Sequence, residues 1–308
     1  MKTCPQCTAE APLDDRFCEE CGAHLGGPST VAAPIECAKC GAGVDAIDED
    51  GFCTACGFRR LAPARDHFER VISAGFAGIT DRGLRHHRNE DFFMMDSLND
   101  NQADGGQVIV VCDGVSSTSE AEKGSEAAAD AVFRSLVQKQ TLEEAVAAGQ
   151  SAVAEIDGEP ATTVVAAVVR EKRIQVASVG DSRAYWIARE DSRQLTSDDS
   201  WINDVVSAGE MTEEEALKSS QAHAITRWLG ADASAEDCAA SLVEFEIPGP
   251  GYLLLCSDGL WNYVPDAAAM AELVYAEEQD AVGVVRRLVD FANGKGGQDN
   301  ITAVLLAL

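Results

Sequence analysis

The chain has 308 residues, and 52 Asp plus Glu against 24 Lys plus Arg leave a formal charge of −28. A hydrophobic share of 46% is enough for a core, which excludes intrinsic disorder over most of the length. The acidic excess disfavours both nucleic acid and anionic membrane surfaces, whose capture needs clustered Lys and Arg. No apolar stretch reaches the roughly 18 residues that span a bilayer. Only Met1, Lys2 and Thr3 precede the first cysteine, so no secretory signal is expected and the chain reads as cytoplasmic.

In chain order, the first feature is cysteine. Eight of the eleven form four C-x-x-C pairs: Cys4/Cys7, Cys18/Cys21, Cys37/Cys40 and Cys53/Cys56. In a reducing compartment such pairs favour metal over disulfide. Gly22, Gly41 and Gly57 follow three of the pairs and allow the tight knuckle in which backbone N–H groups point at sulfur. Four thiolates per module suit a closed, structural Zn²⁺ site, with iron or a redox pair as the alternatives. The expected organisation is zinc ribbon 1 over residues 1–27, a linker at 28–34, zinc ribbon 2 over 35–60, a linker at 61–71 and one large domain over 72–308. Residues 1–60 carry five Lys/Arg against ten Asp/Glu. The ribbons are therefore expected to contact an unknown protein partner or to regulate, rather than to bind nucleic acid.

In the large domain, runs rich in Val, Ile and Leu predict strands over 108–112, 162–169, 174–179, 242–247, 252–256 and 301–306. Helices are predicted over 119–139, over 141–156 behind a T-L-E-E capping box, over 265–276 behind Pro265, and over 280–293. The strands arrive in groups without regular βαβ alternation, which predicts an α+β fold of antiparallel sheets with helices outside them.

Several apolar runs end in aspartate: Asp113 with Gly114, Asp181, and Asp258 with Gly259. Asp299 precedes the last strand, and Glu90 and Asp91 precede the FFMM run. A single Asp-Gly after a strand is usually a turn. Five acidic sites converging at one sheet edge would instead require cations, and an all-oxygen donor set selects Mg²⁺ or Mn²⁺.

These pieces resemble the metal-dependent PPM phosphatases, the protein phosphatase 2C-like serine/threonine phosphatases. The matching segments come in family order: D-R-G-L…N-E-D (81–91), D-G (113–114), T-T-V (162–164), V-G-D-S-R-A-Y (179–185), L-T-x-D-x-S (195–200), I-T-R-x-L-G (225–230), C-S-D-G-L-W (256–261) and G-G-Q-D-N-I-T (296–302). The resemblance implies an αββα four-layer sandwich of two antiparallel sheets flanked by helices. It implies that Asp113 bridges two Mn²⁺ or Mg²⁺ ions, with the Gly114 carbonyl on one of them. Asp258 and Asp299 would complete one site, Glu90 and Asp91 the other, and Asp181 a third, looser one. A bridging water of lowered pKa would then attack phosphorus directly. Residues 198–233 would form a mobile flap.

Three positions depart from the family pattern. His86 stands where a phosphate-binding Arg is usual, with Arg85 and Arg88 beside it as substitutes. Residues 115–119, V-S-S-T-S, replace the Gly-Gly-His that often follows the first D-G, which leaves metal-bound water or His86 as the candidate proton donor. Asp199 replaces the His of D-H-S. Cysteine-based phosphatase chemistry is excluded, because Thr118, Glu244 and Asn262 stand where C-x5-R needs its arginine. The expected function is a phosphoserine/phosphothreonine protein phosphatase acting on phosphoproteins, with basic flanks favoured by the acidic charge, and working as a monomer. The alternative is a catalytically weak pseudophosphatase or phosphoprotein-binding scaffold.

Overall fold

The computed structural model describes residues 64–98, 105–222, 224–277 and 279–308, together with 2–3, 10–11, 42–43, 46 and 54–55. The chain divides into two units, Met1–Pro63 and Ala64–Leu308. In the first, Lys2–Thr3 and Glu10–Ala11 pair antiparallel. All eight paired cysteines, Cys4, Cys7, Cys18, Cys21, Cys37, Cys40, Cys53 and Cys56, lie outside the described residues, as do His24 and His223.

The second unit opens on a 3-10 turn, Ala64–Asp66, and strand β1, His67–Ser73. The linker expected at 61–71 is therefore corrected: residues 67–71 are sheet. β1 is an edge strand whose inward Phe68 and Ile72 join the core, while His67, Glu69 and Val71 face solvent. That half-polar alternation disguises an edge strand as a charged joint. His67 lies on this strand and pairs with Asp81 at 2.6 Å.

Strands β2 (Phe76–Asp81), β3 (Phe92–Leu98) and β4 (Gly106–Cys112) follow, then helices α1 (Ala121–Val137) and α2 (Leu142–Ala154). Thr141 caps α2 in the expected capping box with Glu144. Next come β5 (Val164–Arg170), β6 (Arg173–Val179) and β7 (Arg183–Ile187). β7 was read as part of a motif rather than as a strand. Helices α3 (Trp201–Ser207) and α4 (Glu213–Ala216) precede β8 (Ser241–Glu246) and β9 (Tyr252–Cys256). The chain closes with α5 (Asp258–Trp261), α6 (Ala267–Val274), α7 (Ala281–Gly294) and β10 (Ile301–Ala307). Asp266 rather than Pro265 caps α6, so Pro265 lies one residue outside the expected helix entry.

Arg193–Gln194, β7, β9, β10, β2 and β1 form one sheet, and β8, β6, β5, β4 and β3 the other; every pairing is antiparallel. Phe76, Phe93, Ile109, Val165, Trp186, Leu253 and Val304 fill the layer between the sheets. α1 and α2 cover the outer face of the five-stranded sheet, and α6 and α7 that of the six-stranded one. Both faces of the central strands are thus buried, which is why β5 and β10 read as continuous apolar runs rather than alternating ones. The result is the expected α+β four-layer sandwich. Among the described residues no helix is long and apolar enough to cross a membrane.

Candidate active site

Antiparallel register decides where the acidic residues go. Phe92 of β3 faces Cys112 of β4, Cys256 of β9 faces both Arg183 of β7 and Ala303 of β10, and Ile301 faces Asp81 of β2. Glu90, Asp91, Asp113, Asp258, Asp299 and Asp181 each sit just beyond one of these paired strand ends. They therefore gather at a single edge of the sandwich, although some 200 residues of sequence separate the first from the last.

Asp113 is fixed by its backbone. Its N–H donates to Thr163 Oγ1 at 3.2 Å, and its carbonyl accepts from the Thr163 N–H and the Thr162 hydroxyl, each at 2.8 Å. Gly114 is clamped between backbones: a Cβ there would lie 2.7 Å from the Ala121 carbonyl oxygen and 2.8 Å from that of Glu90. Only glycine fits so close an approach.

Asp91 is fully buried and is held by one oxygen. Its Oδ2 accepts from the hydroxyls of Ser257 and Thr302, both at 2.7 Å. Thr302 also meets Thr80, which Asn89 contacts in turn. Asp91 Oδ1 and Asp258 Oδ1 are buried and receive no N–H or O–H donor among the described residues. Asp258 Oδ2 accepts from Asn262 at 3.0 Å, and Asp299 Oδ1 from the Asn300 N–H at 2.8 Å.

Burial pushes these carboxyls up, and their mutual repulsion adds to it: Asp91 to about 6, Asp181 to about 7, and Asp113 and Asp258 well above the ordinary value. Among the described residues no three of these groups stand around one point at liganding distance. The charges of Asp91, Asp258, Asp299 and Asp181 all add to the rise at Asp113, so the gathered carboxylates repel one another. Such a cluster is relieved by a shared proton or a cation. Buried carboxyl oxygens without donors, in an all-oxygen set, fit hard divalent cations such as Mn²⁺ or Mg²⁺.

His86 lies at the mouth. Its Nε2 is 3.2 Å from Asp299 Oδ1 and its Nδ1 3.7 Å from Glu90 Oε2. The Glu90 contact raises the His86 pKa against its partial burial, and Asp299 adds to the rise. Burial alone would raise Glu90, but its hydrogen bonds with His86 and Ser116 outweigh that and hold it low. Ser116, in the stretch replacing Gly-Gly-His, donates to Glu90 Oε2. The structure separates the two candidate arginines. Arg88 pairs with Glu122 at 2.6 Å, whereas Arg85 is exposed and has no ion pair among the described residues.

Asp181 is fastened from behind. Its carbonyl accepts from Trp261 Nε1 at 2.9 Å, and the Arg183 guanidinium lies 3.5 Å from the Trp261 ring while forking onto Asp198 at 2.6 and 2.9 Å. Asp199 accepts from the Gly180 N–H at 3.0 Å and from Arg227 at 3.1 Å. The segment expected to move as a whole is therefore anchored at its base: Asp198 is 7% exposed, and Leu229–Gly230 pairs with Ala161–Thr162. Sequence reading missed Ser257, Thr302 and Trp261 as supports, although all three stand inside the motifs. Thr80 carries no sequence signal of its role.

The protein phosphatase 2C family model matches residues 82–305. The chain belongs to the protein phosphatase 2C family. It is 31% identical over 248 residues to the serine/threonine phosphatase stp of Listeria innocua, a match covering 74% of this chain and 93% of the relative. Among solved structures it is similar to the serine/threonine phosphatase Stp1 from Staphylococcus aureus, with a TM-score of 0.65 and 29% identity over 79% of this chain and 98% of that one. It is also similar to the catalytic domain of the phosphatase PstP in complex with two manganese ions, with a TM-score of 0.60 and 28% identity over 78% and 98%. A double zinc ribbon model matches residues 4–57 of this PPM chain.

Proposed function

We infer that the chain is a metal-dependent protein serine/threonine phosphatase that hydrolyses phosphoserine and phosphothreonine at a two-cation centre. The observation that carries this is the gathering of Asp91, Asp113, Asp258 and Asp299 at one edge of the sandwich, with buried Oδ1 atoms of Asp91 and Asp258 that no donor among the described residues satisfies. Asp113, the Gly114 carbonyl, Asp258, Asp299, Glu90 and Asp91 would hold the two ions, and Asp181 a third. Bound there, Mn²⁺ or Mg²⁺ supplies Lewis acidity toward the phosphoryl group and acidifies water.

The chain's own residues do the rest. Arg85, free at the rim, takes the phosphate oxygens that the usual arginine would hold. His86, favoured as imidazolium between Glu90 and Asp299, keeps an Nε2 proton where the departing seryl oxygen needs one. Ser116 orients Glu90. The acidic surface favours phosphoproteins with basic flanks. The ribbons, with two structural Zn²⁺ in a reducing, cytoplasmic compartment, serve partner binding or regulation. The phosphatase acts as a monomer.

One experiment tests the centre and the flanks together. The full chain with Mn²⁺ should hydrolyse an Arg-flanked phosphoserine peptide several-fold faster than a Glu-flanked one, with the gap narrowing as salt rises. Asp113→Asn should lower both rates about a hundredfold or more. A wild type that binds Mn²⁺ and phosphopeptide without turnover would favour the scaffold reading. For the ribbons, zinc near two per chain should fall in a Cys18→Ser/Cys53→Ser double variant; a zinc-free wild type ends that assignment.

A further inference from the structure

The loop carrying His86 also presents a largely exposed apolar side chain, Leu84. We propose that Leu84 is a specificity residue: a fixed apolar shelf at the rim of the active site. It would select phosphorylated segments with a large apolar residue adjacent to the phosphoserine or phosphothreonine. The proposal rests on the phosphatase reading above and adds a substrate preference to it.

Leu84 is 62% exposed, the highest value among the exposed large hydrophobic side chains of the described residues. A lone exposed leucine is ordinary on a protein surface. Position and rigidity distinguish this one. Asn300 Nδ2 donates to the carbonyls of Arg82 and Arg88, at 2.8 and 3.0 Å, and so ties both ends of the loop. The Gly83 N–H donates to Asp81 Oδ1 at 2.8 Å, and Arg82 donates to the His86 carbonyl. The Leu84 N–H donates to the Gly297 carbonyl at 2.8 Å, two residues before Asp299. Leu84 is thus held between the segment of one catalytic carboxylate and His86, two residues further on.

Its side chain lies over Gly297. A Cβ on Gly297 would come within 2.9 Å of Leu84 Cγ, and that position carries none. The leucine is left uncovered beside the exposed Arg85. A cationic and an apolar residue, both exposed and consecutive on one loop, match a phosphate and an apolar neighbour. Successive residues of an extended peptide advance about 3.3–3.6 Å, so the residue next to the phosphorylated one falls within reach of this rim. Because the loop is already ordered, the contact adds affinity without a large ordering cost.

The test compares two phosphoserine peptides that differ only in one neighbour of the phosphoserine, Leu or Ser, on each side in turn. With the full chain and Mn²⁺, kcat/KM should favour Leu on one side by about tenfold, the scale of one apolar contact. Leu84→Ser should bring that ratio close to one, and Leu84→Met should keep it. Equal rates on both peptides in the wild type, or a preference that survives Leu84→Ser, would overturn the proposal. If neither peptide nor an aryl phosphate is hydrolysed, the phosphatase reading is what fails. The Leu/Ser affinity ratio, read by fluorescence anisotropy, then decides the shelf by the same criteria.

Discussion

Asp91 shows how one side chain is divided between structure and chemistry. Its Oδ2 is saturated by Ser257 and Thr302, so the rotamer is locked and the donor-free Oδ1 is aimed by default. Supports of this kind tune a metal site about as strongly as some ligands do, with losses of roughly 10–100-fold in affinity. Thr302→Val keeps the shape and removes one hydroxyl. Mn²⁺ affinity by calorimetry should drop about tenfold, whereas the phosphopeptide KM measured at saturating Mn²⁺ should hold. An unchanged Mn²⁺ affinity would show that Ser257 alone suffices. The role of Asp91 as an acidic site before a strand was readable from N-E-D; its two hydroxyl partners, 166 and 211 residues away, were not.

At the scale of elements, the flap is best described by its attachments. Asp199, where the family has His, receives Arg227 and the Gly180 N–H. Arg227 also donates to the carbonyls of Glu236 and Ala239 and to the Ser241 hydroxyl at 3.3 Å. One guanidinium therefore joins the base of the flap to the start of β8, at half-buried sites where losing a partner costs about 1–3 kcal/mol. In Asp199→Ala, limited proteolysis within residues 205–220 should run about tenfold faster. Equal cleavage would mean that the ion pair does not hold the flap. Helices α1, α2, α6 and α7 were legible from periodicity and caps, because each buries one face against a sheet. β1, β2 and β7 were not: β1 is an edge strand that alternates polar residues outward, Gly78 interrupts β2, and Arg183 heads β7 inside the V-G-D-S-R-A-Y motif.

For the molecule as a whole, the carboxylate cluster couples stability to pH and to cations. Asp91, raised to about 6, and Asp181, raised to about 7, bind protons more tightly when folded than when unfolded, where an aspartate titrates near 4. Their contribution is therefore fully present at low pH and is lost as pH rises from about 4 through about 7. With chelator present, the melting temperature of the second unit should fall between pH 5.5 and 8. Mn²⁺ should restore more at pH 8 than at pH 5.5, because only the ionised cluster binds it. A Mn²⁺ shift that is equal at both pH values would contradict this account.

The residues themselves were enough for the cysteine modules, the antiparallel α+β class and the list of acidic positions, because spacing, periodicity and motif order are local properties of a chain. Even the −28 was informative, as an argument against nucleic acid. Convergence was not local. Cross-strand register brought Glu90 and Asp299 to opposite sides of His86, left Arg88 paired with Glu122 and Arg85 without an ion pair among the described residues, and clamped Leu84 at the rim. These are contacts between segments far apart in sequence, set by which strands pair and where their ends fall. Only the folded chain could decide them.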